Sequence, residues 1–254
     1  MKYGICILNC VPLRMEPSDK SEMTSQILFG EHFTILEIKQ QWLYVKLAFD
    51  KFKGWVDVKQ IEAISAEYFG ELQDANPFFL QELVSFASID NKLNLLTIGA
   101  TLPNLKENTF SIGKRIYQLD GETKEYKLTK DKIIEIAFMY MNVPYQWGGK
   151  TPLGIDSSGF TQMVYKMNGY KLFRDVINQA KQGEALSFIE ESTPGDLAFF
   201  DEEGVITHVG IVLANNFIIH ASGKVRLDRL DQSGIYNEET NRHTHKLRII
   251  KKMF

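Results

Sequence analysis

This sequence lacks three things that would place it quickly: a long apolar run, a basic cluster and a set of cysteines. No apolar stretch approaches the ~18–20 residues of a membrane-spanning helix, so no membrane partner is expected. Ile5-Cys6-Ile7-Leu8-Asn9-Cys10 only mimics a lipoprotein leader. One Lys precedes a stretch too short for an apolar region of ~7–15 residues, and Asn9 is not the small residue a processing site needs, so a cytoplasmic location is expected. Lys and Arg total 29 against 32 Asp and Glu, a net charge of -3, and the basic positions are scattered. That pattern offers no footprint for a nucleic-acid backbone. The two cysteines, Cys6 and Cys10, lie four apart in an expected strand. They share a face there at about 13 Å, too far to bridge, and read as reduced core thiols.

What is present is ample core material: 44% hydrophobic and 12% aromatic residues in 254, which excludes disorder and fibre. From Met1 to Ile64 the chain reads as short strands, His32 to Ile38, Trp42 to Leu47 and Gly54 to Asp57, broken by polar turns. This is the pattern of a small β-barrel. Residues 65–128 repeat it more weakly, after an acidic entry at Glu67 to Asp74, and close on the Asp120-Gly121 turn signal. A second barrel is expected there. After Thr129 the period changes: Ile133, Ile136, Ala137, Tyr140 and Met141 recur at three and four behind a Thr cap. A second helix carries Phe160, Met163, Val164 and Met167 on one face, with Asp156 or Ser157 as cap and Asn168-Gly169 as stop. Strands then return at Leu197 to Phe200, Val209 to Ala214 and Phe217 to Ala221, which makes residues 129–254 an α+β domain.

The chemistry concentrates in Pro144 to Phe160, a Gly-rich turn that delivers small hydroxyl side chains, Ser157 and Ser158, into the first turn of an amphipathic helix. Unpaired amides and the positive end of the helix dipole stabilise an anion there and can donate to a developing oxyanion. Downstream, Thr207-His208-Val209-Gly210 and Ile219-His220-Ala221-Ser222 place two histidines on strands, a base and its orienting partner. Either histidine alone would more often be a satisfied structural one.

Taken together, these motifs resemble the NlpC/P60 family of cell-wall peptidases over the C-terminal half, and the N-terminal portion is similar to bacterial SH3 modules. The resemblance implies an α+β, papain-like NlpC/P60 catalytic domain (residues 129–254) preceded by two small SH3-like β-barrels (1–64 and 65–128). It implies a cysteine nucleophile at the position that Ser157 holds here, His208 as general base and His220 as the residue orienting it. A serine hydroxyl must be deprotonated during attack, whereas a cysteine beside a histidine is already largely thiolate, so a loss on the order of 10³-fold or more is expected. An engineered Cys-to-Ser change and a naturally inactive relative both fit, the first being favoured because both histidines stand intact.

The two-barrel arrangement resembles γ-D-glutamyl-L-diamino acid endopeptidases that trim muropeptides with a free N-terminal L-alanine in peptide recycling. On that resemblance Asp156 and Ser158 would meet the substrate ammonium, Tyr145 and Trp147 would wall the pocket, and the first barrel would close it. Glu22 is the candidate acid in that barrel, and Phe52 stands where the family often has a hydroxyl. A non-catalytic muropeptide-binding module and an acyltransferase are the alternatives. The partner is a muropeptide, the chain is expected to act as a monomer, and no cofactor is implied. No metal is expected either: His243 and His245 lie two apart with no third ligand in view, and they and His32 fit no site. Arg174-Asp175 and Gln179 match a further family stretch, which a capping Asp and a surface Gln explain equally well.

Parity sets one more expectation. A two-residue turn at Asn215-Asn216 would pair Ile211 with His220 and turn His208 to the opposite face. The histidines meet only across an odd loop, or a bulge near Gly210; a three-residue loop sets His220 opposite Gly210 and diagonal to His208.

Overall fold

The computed structural model describes residues 2–120 and 130–253. It divides into two compact units, Met1–Tyr126 and Lys127–Phe254. Gly121 of the expected turn and the Thr129 cap lie outside the described residues.

In the first unit, period-two alternation builds an antiparallel sheet from β1 (Tyr3–Cys6), β2 (Cys10–Arg14), β3 (Met23–Leu28), β4 (His32–Lys39), β5 (Trp42–Leu47), β6 (Lys53–Asp57) and β7 (Ile61–Ile64). The strand order is β3-β2-β6-β5-β4-β1-β7. Leu43, Val45 and Leu47 bury one face of β5 with Val11, Leu13, Phe33 and Val56. Cys6 and Cys10 are both free, and burial pushes the Cys6 thiol far up.

The acidic stretch expected to lead into strands folds instead as helix α1 (Ala66–Asp74). Ser65 caps it, accepting from the Tyr68 amide, and Tyr68 and Leu72, four apart, pack on the core. Strands β8 (Phe78–Phe79), β9 (Val84–Ile89), β10 (Lys92–Thr97), β11 (Thr101–Leu102), β12 (Thr109–Ile112) and β13 (Arg115–Asp120) follow. They form a sheet in the order β10-β9-β13-β12 and a β8–β11 pair. The core of this second sheet takes in Ile5 of β1 and Phe29 of the turn after β3, and the Thr101 amide donates to the Phe29 carbonyl at 2.8 Å.

The second unit opens with α2 (Lys130–Met139), whose Ile133 and Ala137 are fully buried, as is Tyr140 just beyond its end. A minimal hairpin, β14 (Lys150–Thr151) and β15 (Gly154–Ile155), feeds α3 (Ser157–Met167). The predicted face of Phe160, Met163, Val164 and Met167 is buried, and so is every other residue of that helix. A helix buried all round sits at the centre of its domain. The short α4 (Val176–Gln179) and β16 (Glu184–Leu186) precede a meander of β17 (Leu197–Glu202), β18 (Val205–Leu213), β19 (Phe217–Ser222), β20 (Lys224–Asp231), β21 (Gly234–Asn237) and β22 (Arg242–Lys252). β22 pairs with both β17 and β21, which closes these six strands into a barrel, with β16 on the outer edge of β22.

The loop between β18 and β19 is Ala214–Asn216, three residues long, with Asn215 and Asn216 at φ 59° and 60°. Leu213 pairs with Phe217 and Gly210 with His220, the odd-loop register. No bulge is needed at Gly210, which is small for another reason: a Cβ there would lie 2.7 Å from Ile218 Cδ1 and 2.9 Å from His220 Cβ. Gly210→Ala is therefore expected to cost about 1–3 kcal/mol, read as a lower denaturant midpoint, and an unchanged midpoint would contradict this close approach.

Candidate active site

Asp156 is the residue on which the turn before α3 converges. Its backbone is extended and its side chain caps the helix, accepting from the Gly159 amide at 2.6 Å. The same Oδ1 accepts from Ser158 Oγ at 3.2 Å and Arg174 Nη1 at 3.0 Å. Oδ2 accepts from the Gly148 amide at 2.8 Å and Arg174 Nη2 at 2.6 Å. Five donors on one buried carboxylate make a bidentate, charge-assisted clamp. Gly159 has no room for a side chain, since a Cβ would fall 2.3 Å from the Gly149 carbonyl. Gln179 completes the clamp: its Nε2 donates to the Ser158 and Phe173 carbonyls at 2.8 Å each, and its Oε1 accepts from Thr161 Oγ1 at 2.7 Å. Arg174 and Gln179 are thus buried braces of this turn, and Asp175 is the cap of α4. Ser157 opens α3 at 7% exposure, and the hydrogen bonds of the turn run through its neighbours rather than through its Oγ.

The histidines form a relay. His208 Nε2 lies 2.8 Å from His220 Nδ1, and His220 Nε2 lies 2.9 Å from Asp228 Oδ2. Arg226 grips that carboxylate with Nε at 2.8 Å and Nη2 at 3.0 Å, and reaches Glu239 with Nη1. The carboxylate fixes the protons. Asp228 accepts from His220 Nε2–H, so His220 Nδ1 is the acceptor for His208 Nε2–H, and the lone pair of His208 is left on Nδ1. Burial pushes Asp228 up, but hydrogen bonds from His220 and Arg226 carry it below the usual carboxylate range. Burial, reinforced by the neighbouring histidines, holds His208 well below the usual histidine range, and burial also lowers His220 against the pull of Asp228.

A third imidazole joins them, against the expectation that His245 fits no site. Its ring stacks on His208 with centroids 4.2 Å apart, and burial lowers its pKa to about 4. Ile235 pairs with His245 while Tyr236 pairs with His243, so Thr244 is a bulge and the two histidines face opposite sides of β22. His243 turns out to Asp231 at 2.9 Å. A period-two reading of His243 and His245 misses this, whereas Asp228 was reachable: the hairpin at Gly223 pairs His220 with Arg226, and Asp228 shares that face two residues on.

A cleft of about 620 Å³ runs beside the relay, lined by Tyr145, His208 and His245 among others. Burial, with the Asp156 carboxylate nearby, raises the Tyr145 phenol above its ordinary pKa. Trp147 is 62% exposed and does not line this cleft. Asp156 and Ser158, expected to meet an ammonium, are both engaged with Arg174. Glu22 and Phe52 belong to the first unit, where Glu22 is exposed and Phe52 packs on the core of the first sheet.

The chain is similar to known proteins in both units. Residues 142–245 match the NlpC/P60 family, and residues 13–61 match the bacterial dipeptidyl-peptidase Sh3 domain. The chain is 28% identical over 265 residues to dipeptidyl-peptidase 6 of Lysinibacillus sphaericus, covering 93% of this chain and 95% of that protein. It is 28% identical over 220 residues to the gamma-D-glutamyl-L-lysine dipeptidyl-peptidase of Bacillus subtilis (strain 168), covering 78% and 71%. A crystal structure of an NlpC/P60 family protein from Bacillus cereus ATCC 10987 shares the fold over 99% of both chains, with a TM-score of 0.83 at 19% identity.

The buried ionisable groups set two expectations. Removing the cation in Arg174→Met strands the Asp156 carboxylate and should cost roughly 3–5 kcal/mol in chemical denaturation, where a loss below ~1 kcal/mol would mean that the clamp is not needed. The neutral imidazoles set the second. Histidines of the unfolded chain take up protons as pH falls through about 6.5, while in the folded chain His245 waits until about 4 and His208 and His220 are also lowered. Their contribution to stability is therefore present above pH 6.5 and lost on the way down to about pH 4. The urea midpoint should fall between pH 7.5 and pH 5, and equal midpoints would contradict the buried neutral cluster.

Proposed function

Because the chain belongs to the NlpC/P60 family and carries a bacterial SH3 domain ahead of its catalytic region, we propose that its site is built to hydrolyse the bond between γ-D-glutamate and a diamino acid in peptidoglycan-derived peptides with a free N-terminal L-alanine. The observation that carries this reading is the relay. Asp228 dictates the tautomer of His220, which dictates that of His208, and the lone pair left on His208 Nδ1 is what a general base needs. In that chemistry the nucleophile at position 157 attacks the γ-carbonyl carbon as His208 takes its proton. The carbonyl electron pair moves to oxygen, which the unpaired amides at the start of α3 stabilise. Collapse expels the diamino acid amine with the proton from His208. Water, activated by the same histidine, then cleaves the acyl-enzyme.

Asp156, Arg174, Ser158 and Gln179 hold the nucleophile turn in this reading. Capture of the substrate ammonium at Asp156 requires displacing a donor already there, and Ser158 Oγ, the longest of the five contacts at 3.2 Å, is the one to exchange. Tyr145 is assigned to the wall of the cleft, and Trp147, Glu22 and Phe52 are assigned to substrate binding by the family resemblance. Free peptides in the cytoplasm, processed by a monomer, are the substrate pool this specificity implies.

One observation favours a second reading, a module that binds muropeptides without cutting them. Position 157 is a serine, and among the described residues no hydrogen bond joins its Oγ to His208. Ser157→Cys separates the two. Turnover of L-Ala-γ-D-Glu-L-Lys should rise at least ~10³-fold over the serine chain, with intact sacculi left uncut. Tight binding of the peptide by Ser157→Cys with no turnover would overturn the hydrolase and establish the module.

A further inference from the structure

Three imidazoles converge beside the cleft, one more than a general base and its orienting partner require. His208, His220 and His245 each offer a nitrogen, and these nitrogens all lie within 4.8 Å of one another. We propose that His208, His220 and His245 form a binding site for a divalent transition metal of the zinc class, and that an ion held there shuts the catalytic histidine pair.

Geometry outside the ring atoms supports the assignment. Metal-binding histidines as a rule donate their second nitrogen to a carboxylate or another acceptor, which fixes the tautomer and aims the lone pair at the ion. His220 does this through Asp228, itself held by Arg226. His245 has Thr244 Oγ1 on its Nδ1 at 2.9 Å, which leaves Nε2 for a ligand bond. Zinc binds neutral imidazole nitrogen at about 2.0–2.1 Å, which in a tetrahedron spaces the nitrogens by about 3.3 Å. His208 and His220, now 2.8 Å apart, would separate by about half an ångström. His245 is half-buried and follows the Thr244 bulge, so it is the ring placed to turn and close in.

The ion would replace the proton shared by His208 and His220. The relay would then no longer leave a base on His208, and occupancy would be inhibitory. That consequence rests on the hydrolase reading, whereas metal binding does not.

The test uses the chain with Ser157 in place, because a cysteine there would itself recruit zinc. Zinc titration by calorimetry should show one ion per chain with a micromolar or tighter Kd, and cobalt(II) should give the intense visible bands of a tetrahedral site. His245→Ala should weaken binding at least ~100-fold and abolish the bands, while His243→Ala, which changes the outward-facing histidine, should leave both unchanged. Binding absent or substoichiometric in the parent chain, or retained in His245→Ala, would overturn the proposal, as would loss confined to His243→Ala. If His245→Ala fails to fold, imidazole nitrogen NMR of the parent chain decides it: zinc must shift three histidines, His32 and His243 not among them, and any other set refutes the site. None of these readouts depends on turnover, so failure here leaves the hydrolase reading standing.

Discussion

The carboxylate of Asp156 is the point on which the second unit turns. A charge taken out of water must be met by donors, and five of them come from three separate stretches: the Gly148 turn, the first turn of α3 and Arg174 beyond the helix. Satisfying that one group fixes where α3 begins and how tightly the glycine-rich strand passes over it. The side chain of residue 157 therefore has a defined origin whatever it is. Arg174 and Gln179 brace the turn before α3, which is why they are buried although their residue types suggest a surface.

The relay is organised by the same physics with the opposite outcome. Asp228 has only a few partners, and the chain from Arg226 through Asp228 to His220 and His208 transmits proton positions rather than anchoring backbone. Burial keeps the imidazoles neutral, so what passes along the chain is the choice of tautomer.

The parts of this arrangement written in local spacing were readable in the sequence. The face of α3 followed from Phe160, Met163, Val164 and Met167, and alternation along the strands required the odd loop that brings His208 and His220 together. The same alternation, carried one hairpin further, reaches Asp228. What escaped was encoded in departures from regularity or in long-range packing. A single bulged residue, Thr244, reverses the faces of the two histidines beside it. The acidic run after Ser65 is helical because Tyr68 and Leu72 find a core that belongs partly to the preceding sheet, where Ile5 and Phe29 contribute. Arg174 is recognisable as a brace only once Asp156 is seen to face it from the far end of α3.

Residue separations along the chain carry a consequence for how the protein folds and tolerates change. The relay joins residues 12 and 8 apart in adjoining hairpins, and the Asp156–Arg174 clamp joins residues 18 apart around one helix. Each is closed by contacts nearer in sequence than the barrel itself, whose closure through β17 and β22 joins Phe200 to Leu247. A change at position 157 therefore leaves the hairpins that hold the histidines with all of their own reasons to fold. Serine and cysteine at position 157 are therefore equally compatible with the hairpins that bring His208, His220 and Asp228 together.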